Sequence, residues 1–350
     1  MVNNGHEIKP RDAKARFVIL WGMAIATSVL IFGVKSARDR GTLGNASNGK
    51  LEALYHEYSY TQIHMAMPVR LTVYSTDETI AKDACRAAFR RIKELVKVFS
   101  DYDPESEISR LVAANKINSA QPHPVSQELL RVLLFAKQVH AKSQGAFDPT
   151  AGPCIKLWRN ARKSGILPPN ESIEEAWQRV GFEQILINED ESTVTWPVAV
   201  SLDFGAIAKG FIGDEAISTL NQHGLNSACY EAGGDFVIGD APPGSGGWEI
   251  DIPFQGPQLI SNGAVSVSGD TVQFVVLNGK RYSHVIDPRT GMAVTNRRMT
   301  VVRASSGMCS DALATTGGIL APEAFNELIE QFPDVKAWQY AVTDENEESL

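Results

Sequence analysis

Beyond Gln184 the chain becomes a succession of short apolar segments separated by Gly, Pro, Asn or Asp. These are Gln184–Asn188, Thr193–Trp196, Val198–Leu202, Asp235–Gly239, Trp248–Ile252, Gln273–Leu277 and Met299–Arg303. Each is too short for a helix and is built from residues that fit a pleated surface. One helical stretch, from about Ala206 to Leu220 and closed by Gly224, interrupts the series, and another begins near Ser310. A doubly wound parallel sheet needs a helix after nearly every strand. This order predicts an α+β fold instead, a single mixed-sheet domain over residues 56–345.

The segment before Gln184 supplies the helices. Val69, Leu71 and Val73 alternate with Arg70, Thr72 and Tyr74, the pattern of a half-buried strand. Ile80, Ala84, Ala88, Leu95 and Phe99 then recur at helical spacing, with Asp77 and Glu78 at the helix start where negative charge is favoured. A second helix is expected from Ser126 as N-cap to Ser143, with Gly145 just past its end. No G-x-G-x-x-G follows a strand, which removes the dinucleotide-binding fingerprint from consideration.

Ahead of this domain, residues 1–16 are basic, with Lys9, Arg11, Lys14 and Arg16. Residues 17–34, Phe17 to Val34, carry no charge. At about 1.5 Å per residue such a helix just crosses a hydrocarbon core. The run ends in Val34-Lys35-Ser36-Ala37-Arg38, a poor cleavage site, so the reading is an uncleaved transmembrane anchor or signal-anchor. Residues 35–55, rich in Gly, Asn and Ser at their start, read as a flexible tether. A net charge of −8 over 350 residues argues against nucleic acid as a partner. Cys85, Cys154, Cys229 and Cys309 form no C-x-x-C pair. Buried free thiols are the favoured reading, and disulfides stay open.

Four stretches look chemical. In Ser201-Leu202-Asp203-Phe204-Gly205-Ala206-Ile207-Ala208-Lys209-Gly210 an apolar strand ends at Asp203 and a Gly-containing turn opens a helix. Such a start offers backbone N–H groups to an anion, with Lys209 adding charge; Asp203 as a plain N-cap is the competing reading. In Ser310-Asp311-Ala312-Leu313-Ala314-Thr315, a carboxylate and a hydroxyl share one helix face, a hard oxygen pair suited to Mg²⁺. His284 sits in a short strand before the turn Asp287-Pro288-Arg289-Thr290-Gly291, as a general base, a phosphate ligand or a structural histidine. Gly145-Ala146-Phe147-Asp148 and Phe99-Ser100-Asp101-Tyr102-Asp103-Pro104 each bring an aromatic and a carboxylate to a turn, which suits a planar heterocycle or ordinary loop packing.

Together these stretches resemble the ApbE family, the FAD:protein FMN transferases. From about Ile63 to Leu320 the family's landmarks occur in order. They are Met65-Ala66-Met67-Pro68, Tyr102-Asp103-Pro104 through Arg110, Gly145-Ala146-Phe147-Asp148, Asp203 through Gly210, Ala232-Gly233-Gly234-Asp235, Ser268-Gly269-Asp270, Ser283-His284 through Gly291, and Asp311 through Thr315. The resemblance implies Mg²⁺ held by Asp311, Thr315 and the backbone carbonyl of Ala206. It implies FAD, as substrate, on Met65, Tyr102, Ala146, Phe147, Asp148, Asp203, Lys209 and Ile286, and His284 as the catalytic histidine. The partner it implies is a redox protein carrying an S/T-G-A-S/T-type motif whose hydroxyl takes the FMN, with AMP released. It also places the domain outside the cytoplasm, on a single-pass anchor in a bacterial inner membrane. A Mg²⁺-dependent FAD hydrolase giving FMN and AMP, and a non-catalytic flavin-binding protein, are the alternatives. The chain departs from the family pattern at Ala66-Met67, where Gly-Thr is usual, at Glu231, where Asn is common, and at Val112, where Asn often stands.

Overall fold

The computed structural model describes residues 54–117, 121–196, 200–269 and 273–343. The expected anchor, the basic segment before it and most of the tether lie outside the described residues. Among the described residues no helix is long and apolar enough to cross a membrane.

The described chain opens with a hairpin, β1 (His56–His64) and β2 (Met67–Ser75), whose register pairs His64 with Met67. The turn residues Met65 and Ala66 both have positive φ, 51° and 60°, the hand that matches strand twist in a two-residue hairpin. Ala66 stands where the family usually has Gly, so a Cβ sits in a conformation that costs a non-glycine residue roughly 1–2 kcal/mol.

Helix α1 (Glu78–Phe99) follows, capped by Asp77, whose Oδ1 accepts from the Thr79 and Ile80 amides at 2.6 and 3.2 Å. Its buried stripe runs through Ala81, Ala84, Ala88, Ile92, Leu95 and Phe99, while Ile80 stays half in solvent. After α2 (Glu107–Ile117) and the short β3 (His123–Pro124), α3 (Gln127–Lys142) is capped by Ser126 as expected. Gly145 takes the left-handed turn after it, at φ 78°. Two helices that the pattern did not suggest come next, α4 (Gly152–Ser164) and α5 (Asn170–Trp177).

Strands β4 (Leu186–Asn188) and β5 (Thr193–Thr195) form a small sheet with β3. The expected strand Val198–Leu202 is not borne out where it can be followed: residues 200–204 are neither strand nor helix. Helix α6 (Ala208–Gln222) leads to β6 (Ala228–Ala232), β7 (Asp235–Ile238), the hairpin β8 (Trp248–Ile252) and β9 (Gly256–Ile260), and β10 (Gly263–Ser268). The short ribbons β11 (Phe274–Leu277) with β12 (Lys280–Ser283), and β13 (Ile286–Asp287) with β14 (Met292–Ala293), precede β15 (Arg298–Ala304). The described fold ends with α7 (Gly307–Ile319), α8 (Pro322–Ile329) and β16 (Lys336–Ala341).

The α+β expectation holds, with one correction. The seven-stranded central sheet, in the order β1-β2-β6-β7-β10-β15-β16, is antiparallel at every junction rather than mixed. Both faces of its middle are covered. Tyr230, Val237, Ala264 and Val302 face a core built with α1, α3, α6 and α7. Their neighbours Cys229, Phe236, Ile238, Val265 and Val301 face the β8–β9 hairpin. A separate apolar cluster joins α4 and α5 to β11–β14 through Trp158, Ile173, Leu277, Tyr282 and Ile286. The candidate site draws its residues from the first of these cores and from this last cluster.

Candidate functional site

One side of the site, its floor, is the crossing of α6 and α7. A Cβ on Gly210 would overlap the Gly307 carbonyl, so only glycine lets the two backbones meet there. Asp214 on α6 clamps the crossing by accepting from the Gly307 and Met308 amides at 2.6 and 2.9 Å. Burial pushes the Asp214 carboxyl up to about 6, while those two amides pull it down.

The close crossing brings Asp311 against the start of α6. Its Oδ2 accepts from the Gly210 amide at 3.1 Å and its Oδ1 from the Lys209 ammonium at 2.7 Å. Lys209 also reaches Asp235 Oδ2 at 3.2 Å and the Gly205 carbonyl at 3.2 Å. Burial works against the Lys209 charge, but Asp235 and Asp311 outweigh it and hold the ammonium above the ordinary lysine range. Burial likewise pushes the Asp235 carboxyl up to about 7, against the pull of Lys209.

These residues fit a hard cation. At helical spacing the Gly210 amide would close on the Ala206 carbonyl; it donates to Asp311 instead, and no described backbone amide takes its place. The Ala206 oxygen is thereby without a backbone partner among the described residues. Thr315 lies one turn beyond Asp311 on the same face of α7 and is half-buried. A carboxylate, a hydroxyl and a backbone carbonyl are oxygen donors of the kind Mg²⁺ takes alongside water and phosphate.

A second side of the site, its wall, comes from α4 and the β12–β13 connection. Tyr102 is 70% exposed, and the Arg159 guanidinium lies 4.4 Å from its ring centre. Arg159 also donates to Asp101 at 2.7 Å and to Asp203 at 3.2 Å, so one side chain ties the Asp101-Tyr102 turn to the turn before α6. Asp203 is not the N-cap of α6; that position is Ile207, with no side-chain bond. Its Oδ1 closes its own turn on the Gly205 amide at 2.8 Å. Burial and then Asp101 raise the Asp203 carboxyl. One turn on from Arg159, Arg162 keeps a buried Nη1 with no partner among the described residues.

His284 follows β12 in a bend rather than lying within a strand. Its Nδ1 is 3.1 Å from the Gln273 carbonyl. A carbonyl only accepts, so Nδ1 carries the proton and Nε2 keeps its lone pair. Burial pushes this imidazole down to about 4, and the Arg162 and Lys209 charges act the same way. His284 is therefore neutral near pH 7 and lies within electrostatic reach of Lys209.

Ala146 and Phe147 are buried, and their amides are held by Ser143, through its carbonyl at 3.2 Å and its hydroxyl at 3.0 Å. Met65 packs at the edge of the first core from the β1–β2 turn, and Ile286 belongs to the α4–β14 cluster. Asp148 turns inward: its Oδ1 holds the Thr150 amide and hydroxyl, and its Oδ2 accepts from the Phe182 amide at 3.3 Å. It also backs His140, which with Glu183 completes a His-Asp-Glu group at the rim of a cavity of about 450 Å³ that Trp177 and Arg289 also line. His140 Nδ1 bonds the Phe147 carbonyl at 2.9 Å, so this group shapes the Gly-Ala-Phe-Asp turn. The departure at Glu231 is matched by a cross-strand partner, Arg70 Nη1 at 3.3 Å.

The sequence reading missed Asp235, Arg159, Arg162 and Asp214 as members of the site. Asp235 was in view as the end of Gly233-Gly234-Asp235, but nothing in the spacing ties it to Lys209. The two arginines were hidden with α4, whose Gly152-Pro153 start reads as a loop.

Known proteins share the sequence family and the fold. The sequence model of the ApbE family matches residues 65–338. A FAD:protein FMN transferase of Treponema pallidum is 30% identical over 81% of this chain and 84% of its own length. The solved flavin transferase ApbE of Vibrio cholerae superposes with a TM-score of 0.72 at 26% identity, covering 83% of this chain and 95% of that one. The apo flavinyl transferase ApbE of Pseudomonas stutzeri shares the fold at a TM-score of 0.74 and 24% identity, over 83% of this chain and 92% of its own. With a family model matched over residues 65–338 and a relative 30% identical over most of both chains, this protein belongs to the ApbE family.

Proposed function

We propose that this chain transfers FMN from FAD to a Thr or Ser hydroxyl of another protein, with Mg²⁺ at Asp311, Thr315 and the Ala206 carbonyl. The observation that carries the reading is the pairing of that oxygen set with His284, which is neutral and keeps a free Nε2 lone pair. In such a reaction positioning and charge neutralisation do most of the work. Bound Mg²⁺ supplies the positive charge that draws electron density off the FAD pyrophosphate.

The chain's own groups do the rest. Tyr102, braced by Arg159, offers an aromatic face to a flat ring, and the Arg162 Nη1 donor offers a hydrogen bond to a phosphate or ring oxygen. His284 Nε2 accepts the proton of the incoming hydroxyl. A bond forms between that oxygen and the FMN phosphorus while the bond to the AMP oxygen breaks, and AMP departs with the electron pair. Lys209 is paired with Asp311 and Asp235 before a metal binds, so its charge organises the floor more than it meets AMP.

The acceptor is read as a redox protein with an S/T-G-A-S/T-type motif. The domain is read as tethered by residues 17–34 to a bacterial inner membrane, on the outer side. To test the reaction, the protein is incubated with FAD, Mg²⁺ and an acceptor carrying the motif, and the acceptor is run on a denaturing gel. Flavin fluorescence on the acceptor, lost when its Thr or Ser becomes Ala, is the expected result. Free FMN and AMP with an unlabelled acceptor would replace transfer by hydrolysis. Fractionation of cells producing the full chain, with and without residues 17–34, tests the anchor.

A further inference from the structure

Asp235 has no part in the reaction as derived above, yet it is among the most buried charges of the described residues. Its side chain is 4% exposed, like that of Asp311, and both carboxylates face the same Lys209 ammonium. The Ser266 hydroxyl holds Asp235 from the sheet side and meets the Ser310 hydroxyl at 2.8 Å. Asp311 and Asp235 together can carry one more negative charge than Lys209 balances, so the group has room for a further cation. That cation cannot share Asp311 Oδ1 with Lys209, because the ammonium already stands 2.7 Å from it. Lys209 has a second carboxylate within 3.2 Å, which it can keep without crossing open space.

We propose that Asp235 is a positioning residue: it retains the Lys209 ammonium when a divalent cation takes Asp311 Oδ1. The inference rests on the assignment of Asp311 to the metal. Lys209 then acts as a resident cation that keeps Asp311 paired until the metal arrives. Asp235 keeps that lysine from competing afterwards. Without Asp235, Lys209 has only Asp311 as a charged partner and resists displacement.

The test uses the full chain without FAD, with Mn²⁺ as the probe, titrated by the loss of its free electron-spin signal. Asp235→Asn keeps the size of the side chain and removes its charge. It is expected to weaken Mn²⁺ binding about tenfold, within the usual range for coupled neighbours. Asp311→Asn is expected to abolish the site. A wild-type crystal soaked in Mn²⁺ gives a second readout that needs no variant to fold. Lys209 Nζ should remain bonded to Asp235 and stand beyond hydrogen-bond reach of Asp311. An Asp235→Asn protein that binds Mn²⁺ as tightly as wild type overturns the proposal, and so does a soaked crystal in which Asp235 itself ligates the ion or Lys209 stays on Asp311. Mn²⁺ binding that ignores Asp311→Asn sinks the metal assignment as well, which separates the two failures.

Discussion

The two sides of the site handle buried charge in opposite ways. On the floor, Asp311, Lys209 and Asp235 satisfy one another, Gly210 and Ser266 add hydrogen bonds, and the backbones are locked at the Gly210–Gly307 contact. On the wall, Tyr102 stands in solvent, Arg162 keeps a buried N–H without a partner, and His284 is anchored through one ring nitrogen while the other is open. A fully paired network holds geometry, whereas unpaired donors are costly until something occupies them. The floor is thus built before substrate arrives, and the wall is completed by it.

The largest effect should come from breaking the floor chemically. Asp311→Ala is expected to lower the transfer rate on the order of 10³-fold, as the loss of a principal electrostatic contact does. Extra Mg²⁺ should restore little, and full recovery at high Mg²⁺ would show that the floor is not the metal's seat. Next, Gly210→Ala forces a methyl group into the Gly307 backbone. Unfolding in denaturant should show a loss of about 3 kcal/mol, near the upper end for overpacking. A near-neutral result would mean that the two helices are free to move apart.

On the wall, His284→Ala should slow transfer roughly 10²-fold with little loss of FAD affinity, the ordinary scale for a proton acceptor. Its depressed imidazole also predicts the shape of the pH profile. The neutral form is the active one, so the rate holds as pH falls through 6.5 and drops only near pH 4. The same shift makes the unfolded chain take up a proton that the folded one refuses, so stability declines from about pH 6.5 toward 4. An acid limb near 6.5 would place His284 in contact with water rather than behind it. The smallest change is expected from Arg162→Met. It removes an unpaired buried donor, so thermal unfolding should stay within about 1 kcal/mol of wild type. FAD binding, followed by flavin fluorescence, should weaken severalfold. A large loss of stability without a change in FAD affinity would make Arg162 part of the framework and erase the contrast between the two sides.

What was legible in the sequence follows the same division. Asp77 and Ser126 announce their helices because an N-cap is a local hydrogen bond between near neighbours. Asp311 and Thr315 were legible as a pair because helical spacing alone puts them on one face. Strand β6 escaped notice because both faces of the sheet are covered there, so Ala228–Ala232 shows no alternation of apolar and polar residues. Asp203 looks like a cap because it precedes a helical pattern, but the helix starts later and the carboxylate closes a turn instead. Asp235 and Arg159 join the site across long sequence separations that no local rule records.

The four thiols carry a consequence beyond the site. Cys85, Cys154, Cys229 and Cys309 are all buried and unpaired, and burial pushes Cys85 up to about 12 and Cys154 up to about 11. A thiol that is neither exposed nor ionised is a poor target for oxidation or exchange. The same three-dimensional structure should persist in glutathione or in air, with no cross-link to acquire and none to lose. Such a chain can be made in one redox environment and work in another without changing a single covalent bond.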